Sequence, residues 1–198
     1  MATTTDLSKL LDREMGKGQG PFLVRIFQDA EILPRGKRGG FRNMVHLTPE
    51  HLADVVMALA ATRGAGKRTW QAAKAGVERF APLESHWGRE RGFPTVREGL
   101  AFFLEQYRDK DVIGDDYDFN WALFIDDVNQ PAAEFRFFRD EAGETGQQSV
   151  YYSHPEAILE AKVSPVRGAA VIEGEFLRAL AAMIRDGGAV ADDKDADA

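Results

Sequence analysis

The sequence predicts an α+β protein, with helices in the first 110 residues and a small antiparallel sheet and a C-terminal helix after them. Apolar residues recur at helical spacing in the first part, and aromatic-rich, partly alternating segments follow. The net charge also changes near residue 110. Residues 1–110 contain 18 Lys and Arg and 13 Asp and Glu, whereas residues 111–198 contain 7 Lys and Arg and 19 Asp and Glu. With 44% hydrophobic residues in a chain of 198, we expect a packed core.

Two short helices separated by glycines open the chain. Residues 6–15 carry leucines at helical spacing, and Asp6 is expected to cap this helix. Three glycines within 16–20 end it, because glycine loses more backbone entropy in a helix than any other residue. The second helix is predicted over 21–33, since Pro21 suits a first turn and Leu33-Pro34 ends the pattern. Its inward stripe is predicted to contain Phe22, Leu23, Ile26, Phe27 and Ala30.

A basic, glycine-rich segment separates the second helix from the third. Residues 35–45 have no helical period, and their alternation predicts a hairpin-like loop with a short strand. Thr48 followed by Pro49 then predicts a capped helix that ends at 63–66.

Two further helices complete the first half of the chain. Residues 67–80 form a weaker helical pattern, with Trp70 on its inward side. Residues 82–94 are expected to form a connection. Thr95 and Glu98 then form a capping box, which predicts the start of the next helix.

The second half of the chain is predicted to form an antiparallel meander closed by a helix. The hairpin turn falls within 141–146, which is polar and contains glycine. A helical turn is predicted over 155–161, a strand over 167–172 and the final helix over 174–185. The meander strands are predicted within 117–128, 133–139 and 149–153.

These changes of charge and pattern predict four regions along the chain. They are an N-terminal basic helical unit over 1–62, a helical connector over 63–110, an acidic α+β unit over 111–186 and a disordered acidic tail over 187–198.

The composition narrows the possible chemistry. Without cysteine there are no disulfides, thiol nucleophiles or thiolate metal sites, which suits a reducing, cytoplasmic location. The N-terminal residues lack the basic start and apolar run of a signal peptide, and no apolar run approaches the roughly 18 residues that a membrane span needs.

The basic first half indicates contact with nucleic acid. Its order is helix, glycine turn, helix, basic loop, helix. On the second helix, Arg25 suits bidentate contact with guanine and Gln28 with adenine, and the cations of 35–42 suit contact with phosphates. The alternative is a solvated basic loop that joins two core helices.

This order of features resembles the winged helix-turn-helix of MerR-type transcription regulators. The residues that carry the resemblance are Val24-Arg25-Ile26-Phe27, Ala30-Glu31-Ile32-Leu33-Pro34, Arg38-Gly39-Gly40-Phe41-Arg42 and Leu47-Thr48-Pro49-Glu50-His51-Leu52. They are similar to that family's recognition-helix arginine and aromatic, its helix exit, its wing arginine and the start of its third helix. The resemblance implies a winged helix-turn-helix fold over 1–62 and DNA contacts by Arg25, Arg38 and Arg42.

We therefore predict a sequence-specific double-stranded DNA-binding transcription regulator of bacterial or phage type, without enzymatic activity or cofactor. The residues predicted to contact DNA are Lys17, Gln19, Arg25, Gln28, Arg35, Lys37, Arg38 and Arg42. A module of this size usually needs two half-sites, so we expect a homodimer, with a possible protein partner on the acidic half. The alternative function is a non-enzymatic adaptor whose basic half docks on an acidic partner.

Three other features of the sequence give less specific signals of a binding site. A phosphate-loop interpretation of Gly66-Lys67 fails, because Ala61 stands at the first glycine position and Arg68 at the Ser/Thr position. An acidic cluster contains Asp115, Asp116, Asp118, Asp126 and Asp127. Its carboxylates could bind Mg²⁺ or Ca²⁺. The alternative, which we favour, is a solvated turn before a strand. The four histidines, His46, His51, His86 and His154, have no metal-site spacing.

Overall fold

The computed structural model shows an α+β fold, as the sequence predicts, with helices, one antiparallel sheet and a C-terminal helix. The described residues are 2–36, 46–64, 69–108, 120–126, 132–141, 144–153, 170–172 and 174–185. Their helices are α1 (Thr4–Met15), α2 (Gln19–Asp29), α3 (Pro49–Gly64), α4 (Trp70–Phe80), α5 (His86–Glu90), α6 (Val96–Arg108) and α7 (Gly174–Arg185). Their strands are β1 (Asn120–Asp126), β2 (Ala132–Glu141), β3 (Glu144–Ser153) and β4 (Ala170–Ile172).

Capping boxes fix the starts of two helices. Thr3 is the N-cap of α1: its hydroxyl accepts the Asp6 backbone N–H at 3.3 Å, and the Asp6 carboxylate accepts the Thr3 backbone N–H at 2.9 Å. The prediction that Asp6 is itself the cap is therefore wrong, because threonine can also cap and the box uses both residues. The box predicted at Thr95 and Glu98 is confirmed, with the two corresponding distances at 3.3 and 3.0 Å.

The sheet has the strand order β3-β2-β1-β4, and all neighbouring strands are antiparallel. Phe135 of β2 pairs with Leu123 of β1 on one side and with Val150 of β3 on the other. Glu141 pairs with Glu144, which confirms the hairpin predicted within 141–146. The strands β2 and β3 extend closer to the turn than the aromatic residues alone indicate.

One hydrophobic core contains residues of the N-terminal helices, the sheet and α7. Helix α7 packs against α1, α3 and α6, with Leu177 and Leu180 fully buried. Glu84 and Ser153 exchange two backbone hydrogen bonds of 2.9 Å, which attach the connection after α4 to β3. The region boundaries at 62, 110 and 186 stay predictions. The tail over 187–198 and the helical turn over 155–161 lie outside the described residues.

Two expectations about the middle helices are wrong. The predicted connection over 82–94 contains α5, whose N-cap Ser85 accepts the Gly88 backbone N–H at 3.4 Å. Trp70, expected on the inward side of its helix, is 43% exposed. Helix α4 begins at Trp70, with Thr69 as N-cap, so the indole ring lies at the end of the helix rather than along its packed side.

Candidate nucleic-acid interface

Glycines let helices α1 and α2 pack closely across a short turn. Gly20 is buried, and a Cβ placed on it would overlap the backbone carbonyl of Ser8 in α1. In the turn, Gly16 and Gly18 adopt positive φ angles of 102° and 85°, which other residues rarely adopt. The glycines that stop α1 in the sequence therefore also shape the turn and the contact between the helices.

Asp12 of α1 supplies a hydrogen bond that the N-cap of α2 lacks. That N-cap is Gly18, which has no side chain. The Asp12 Oδ1 atom instead accepts the backbone N–H of Gly20 at 2.7 Å. A carboxylate at a helix N-terminus also interacts favourably with the helix dipole. The bond therefore fixes the start of α2 on α1.

Helix α2 buries one side and exposes the other. The buried side contains Gly20, Leu23, Val24, Ile26 and Phe27. Successive helical residues are about 100° apart, so Arg25 lies at the centre of the opposite arc, which also contains the exposed residues Phe22 and Asp29. Phe22 is 48% exposed, so its predicted place in the inward stripe is wrong. Phe22 is four residues before Ile26, a spacing typical of one helix face, but it lies just beyond the edge of the buried arc of α2.

Helix α2 ends at Asp29, four residues before its predicted end. Glu31 adopts a left-handed φ of 62°. The backbone N–H of Ile32 donates to the Phe27 carbonyl at 2.9 Å, and that of Glu31 donates to the Gln28 carbonyl at 3.2 Å. These two bonds form a Schellman motif, which usually places glycine at the left-handed position. The glutamate there explains why the sequence pattern indicates a longer helix.

Both acidic side chains at the end of α2 are paired with cations. Arg35 Nη2 lies 2.6 Å from Asp29 Oδ1, and Lys74 Nζ of α4 lies 3.0 Å from Glu31 Oε2. Exposed pairs of this kind contribute little to stability. They do neutralise two carboxylates that would repel a phosphate backbone. Arg25 has no ion-pair partner among the described residues.

The chain after α2 returns to the start of α1. His46 pairs with Thr3 in an isolated antiparallel bridge, and the Leu47 backbone N–H donates to the Ala2 carbonyl at 2.9 Å. The described residues on the two sides of the basic segment therefore lie near the end of α2, at Arg35, and beside the N-cap of α1, at His46.

A second group of charged residues joins α3 to α6. Arg97 Nη2 lies 2.6 Å from Asp54 Oδ2, while the buried Oδ1 atom has no hydrogen-bond partner among the described residues. Burial raises the pKa of Asp54 and lowers that of His51. A hydrogen bond from Thr48 lowers the pKa of Glu50. The described ranges contain no group of three or more His, Cys, Asp or Glu that could hold a metal ion.

The described part of the chain contains five of the eight predicted DNA-contact residues. Lys17, Arg25 and Arg35 are exposed, and Gln19 and Gln28 are half-buried. The Gln28 Nε2 atom donates to the Pro34 carbonyl at 3.4 Å. Lys37, Arg38 and Arg42 lie outside the described residues, as do Asp115, Asp116, Asp118 and Asp127 of the acidic cluster, Gly66, Lys67 and Arg68 of the phosphate-loop interpretation, and His154. The exposed Phe22 was not among the predicted site residues, and only its position three residues before Arg25 could have indicated it.

No protein-family model, curated protein or solved structure matches this chain. In the ranges that the structure covers, none of the helices combines the length and apolar character needed to cross a bilayer.

Proposed function

We propose that this protein is a sequence-specific double-stranded DNA-binding transcription regulator whose N-terminal region is a winged helix-turn-helix, with α2 as recognition helix. The observation that carries the proposal is the exposed arc of α2, centred on Arg25, on a helix whose other side is buried. In helix-turn-helix proteins the second helix lies in the major groove, with its N-terminal residues on base edges. The close packing of α1 and α2 across a glycine turn supports this arrangement.

Arg25 has the chemistry of a base-reading residue. A guanidinium group donates two parallel hydrogen bonds to the O6 and N7 atoms of guanine, the commonest specific contact in protein–DNA complexes. Arg25 is exposed and has no ion-pair partner in the described part of the chain. Its guanidinium group is therefore available to a base.

The sequence around α2 is rich in cations, which favours an anionic partner. Between Gly16 and Thr48 there are six Lys and Arg and two Asp and Glu. The two acidic residues, Asp29 and Glu31, are both in ion pairs. Non-specific DNA affinity comes mainly from cations that neutralise phosphates.

The basic segment after α2 is proposed to be the wing. It is closed at its far end by the pairing of His46 with Thr3. Lys37, Arg38 and Arg42 of this segment are proposed to contact phosphates, and Arg35 to do so from the end of α2. A homodimer in the cytoplasm would place two such units on two half-sites. The acidic half would supply the dimer contact or a protein partner's surface, and its charge discourages non-specific wrapping of DNA.

Selection from a random duplex library tests the proposal. Fragments captured by the full-length protein are sequenced, and the affinity for the enriched site is measured at several salt concentrations. We expect an enriched motif that contains guanine, and an affinity that falls linearly on a log–log plot against salt. Arg25→Ala is expected to lose the preference for that guanine within the motif. Arg89→Ala, which removes an exposed arginine on α5, is the matched control and is expected to keep it.

Two results would contradict the proposal. One is a captured pool with the same composition as the input library. The other is an affinity that does not change with salt, since phosphate contacts release counterions. Either result would favour the adaptor, whose basic surface docks on an acidic protein.

A further inference from the structure

Helix α2 carries a large hydrophobic residue, Phe22, that is only partly covered by the rest of the protein. Phe22 is 48% exposed, whereas its neighbour Leu23 is 1% exposed and Phe27 is fully buried. Helix α2 is therefore anchored mainly by Leu23 and Phe27, and about half of the Phe22 surface remains open to solvent. An exposed phenyl ring is unfavourable in water, and burying it in a complex would recover that free energy.

Phe22 and Arg25 lie side by side on α2. Residues three apart on a helix are neighbours on one face, separated by about 4.5 Å along the axis. Base pairs in DNA are stacked about 3.4 Å apart. With α2 in the major groove, the two side chains therefore reach the same base pair or adjacent ones.

The major groove offers a phenyl ring an apolar contact with thymine. The 5-methyl group of thymine is the one methyl group on the base edges, and phenylalanine is a residue that contacts it. The other outward side chains near the end of α2 already have partners, since Gln28 bonds to Pro34 and Asp29 to Arg35. Phe22 and Arg25 thus remain for base contact, as does the exposed Pro21 in the first turn, and Phe22 carries the only aromatic ring among these three residues.

We infer that Phe22 is a specificity-determining residue that packs on the 5-methyl group of a thymine beside the guanine contacted by Arg25. This inference rests on the proposed function. It adds a thymine, next to the guanine contacted by Arg25, to the bases that α2 recognises. It predicts that α2 distinguishes thymine from uracil, which differ only by that methyl group.

The test compares thymine with uracil at single positions of the selected site. The affinity of the full-length protein is measured for the enriched duplex and for duplexes with one thymine replaced by uracil. We expect the replacement to lower the affinity at one thymine position per half-site. The expected decrease is about fourfold, which corresponds to the burial of one methyl group. Phe22→Ala is expected to bind both duplexes equally, and Phe22→Leu to keep a smaller difference.

Trp70→Ala is the matched control, because Trp70 is an exposed aromatic residue in the first turn of another helix. It is expected to keep the full difference between thymine and uracil. Because about half of the Phe22 surface is covered, Phe22→Ala is expected to unfold at a slightly lower denaturant concentration than the wild type. Phe22→Leu keeps most of the apolar contact and is expected to unfold close to the wild type.

The outcomes separate this inference from the proposed function. A wild-type protein that selects a motif but binds thymine and uracil duplexes equally overturns the inference and leaves the proposed function standing. So does a thymine–uracil difference that Phe22→Ala retains, or a Phe22→Ala variant that changes only the oligomeric state. Absence of any selected motif overturns the proposed function, and the inference with it.

Discussion

The carboxylate of Asp12 in α1 accepts the backbone N–H of Gly20 in α2, with oxygen and nitrogen 2.7 Å apart. The same glycine lies against the Ser8 backbone. One residue of α2 therefore carries both the polar and the steric contact that orient this helix on α1. Because α2 is the proposed recognition helix, these contacts decide whether Arg25 and Phe22 are held in position.

Removing the Asp12 carboxylate is expected to weaken the start of α2. Asp12→Ala should lower the free energy of unfolding by about 1 kcal/mol, the usual cost of removing an N-terminal cap. Asp12→Asn keeps an acceptor oxygen and is expected to be less destabilised. Urea denaturation of the three proteins checks this, and equal stability of Asp12→Ala and wild type would contradict it.

Adding a methyl group at Gly20 is expected to force α1 and α2 apart. Gly20→Ala places a Cβ into the Ser8 carbonyl, so we expect destabilisation by about 3 kcal/mol or more, the upper range for overpacking. Gly18→Ala is the comparison: Gly18 has a positive φ but open space around it, so only backbone strain of about 1 kcal/mol is expected. Unfolding curves measure both values, and a smaller effect for Gly20→Ala than for Gly18→Ala would contradict this ranking.

Arginines on α2 and on the basic segment are expected to act differently. Arg38→Ala and Arg42→Ala should weaken binding to all duplexes and reduce the slope of log affinity against log salt by about 0.9 for each phosphate that is no longer neutralised. Arg25→Ala should relax the preference at one base pair, at a cost of about 1–3 kcal/mol on the selected site. Competition titrations with selected and random duplexes measure both effects. Identical behaviour of the two sets would refute this division of roles.

The start of α3 is expected to weaken in mild acid. The Thr48 backbone N–H donates to Nδ1 of His51 at 3.1 Å, so this nitrogen must be unprotonated. Burial lowers the pKa of His51 from its usual 6.5, Glu50 opposes this shift and Arg97 adds to it. The folded protein thus favours the neutral His51 ring. The stability that the hydrogen bond from Thr48 to this ring contributes is complete above pH 6.5 and is lost as the pH falls through the lowered pKa of His51.

His51→Gln tests this pH dependence, because glutamine also completes a capping box with threonine but does not titrate. Urea denaturation at pH 7.5 and 5.5 should show a larger drop in stability for the wild type than for the variant. Parallel drops in the two proteins would show that another group is responsible.

Arg97 is expected to stabilise the protein by compensating a buried carboxylate. Arg97→Ala leaves Asp54 buried without its cation, and we expect destabilisation by about 1–3 kcal/mol at pH 8. Adding Asp54→Asn to the Arg97→Ala variant should recover part of the lost stability, because asparagine carries no charge. Burial raises the pKa of Asp54, so the penalty should shrink as the pH falls and the carboxyl group takes up a proton. Denaturation at pH 8 and 5 measures this, and a pH-independent penalty would contradict the charge argument.

Local signals in the sequence predicted most helices and the hairpin. The proline after Thr48, the box at Thr95 and Glu98, and the polar turn within 141–146 each specify a boundary through residues a few positions apart. Such boundaries depend on short-range hydrogen bonds, so a single sequence contains them.

Other features depend on contacts that a local pattern does not contain. Asp12 caps a helix eight residues away, and Glu31 takes the left-handed position that glycine usually occupies. The exposure of Phe22 depends on how α2 is rotated on α1, which no pattern within α2 states. The predicted roles of Lys37, Arg38 and Arg42 stay predictions, as do the DNA-binding function and the homodimer.

The buried and exposed arcs of α2 share no residue. Phe22 and Arg25 can therefore be varied together while Gly20, Leu23 and Phe27 remain unchanged. A combinatorial library at those two positions, displayed on the intact scaffold and challenged with different operator sequences, offers a way to redirect the protein to new targets without redesigning its interior.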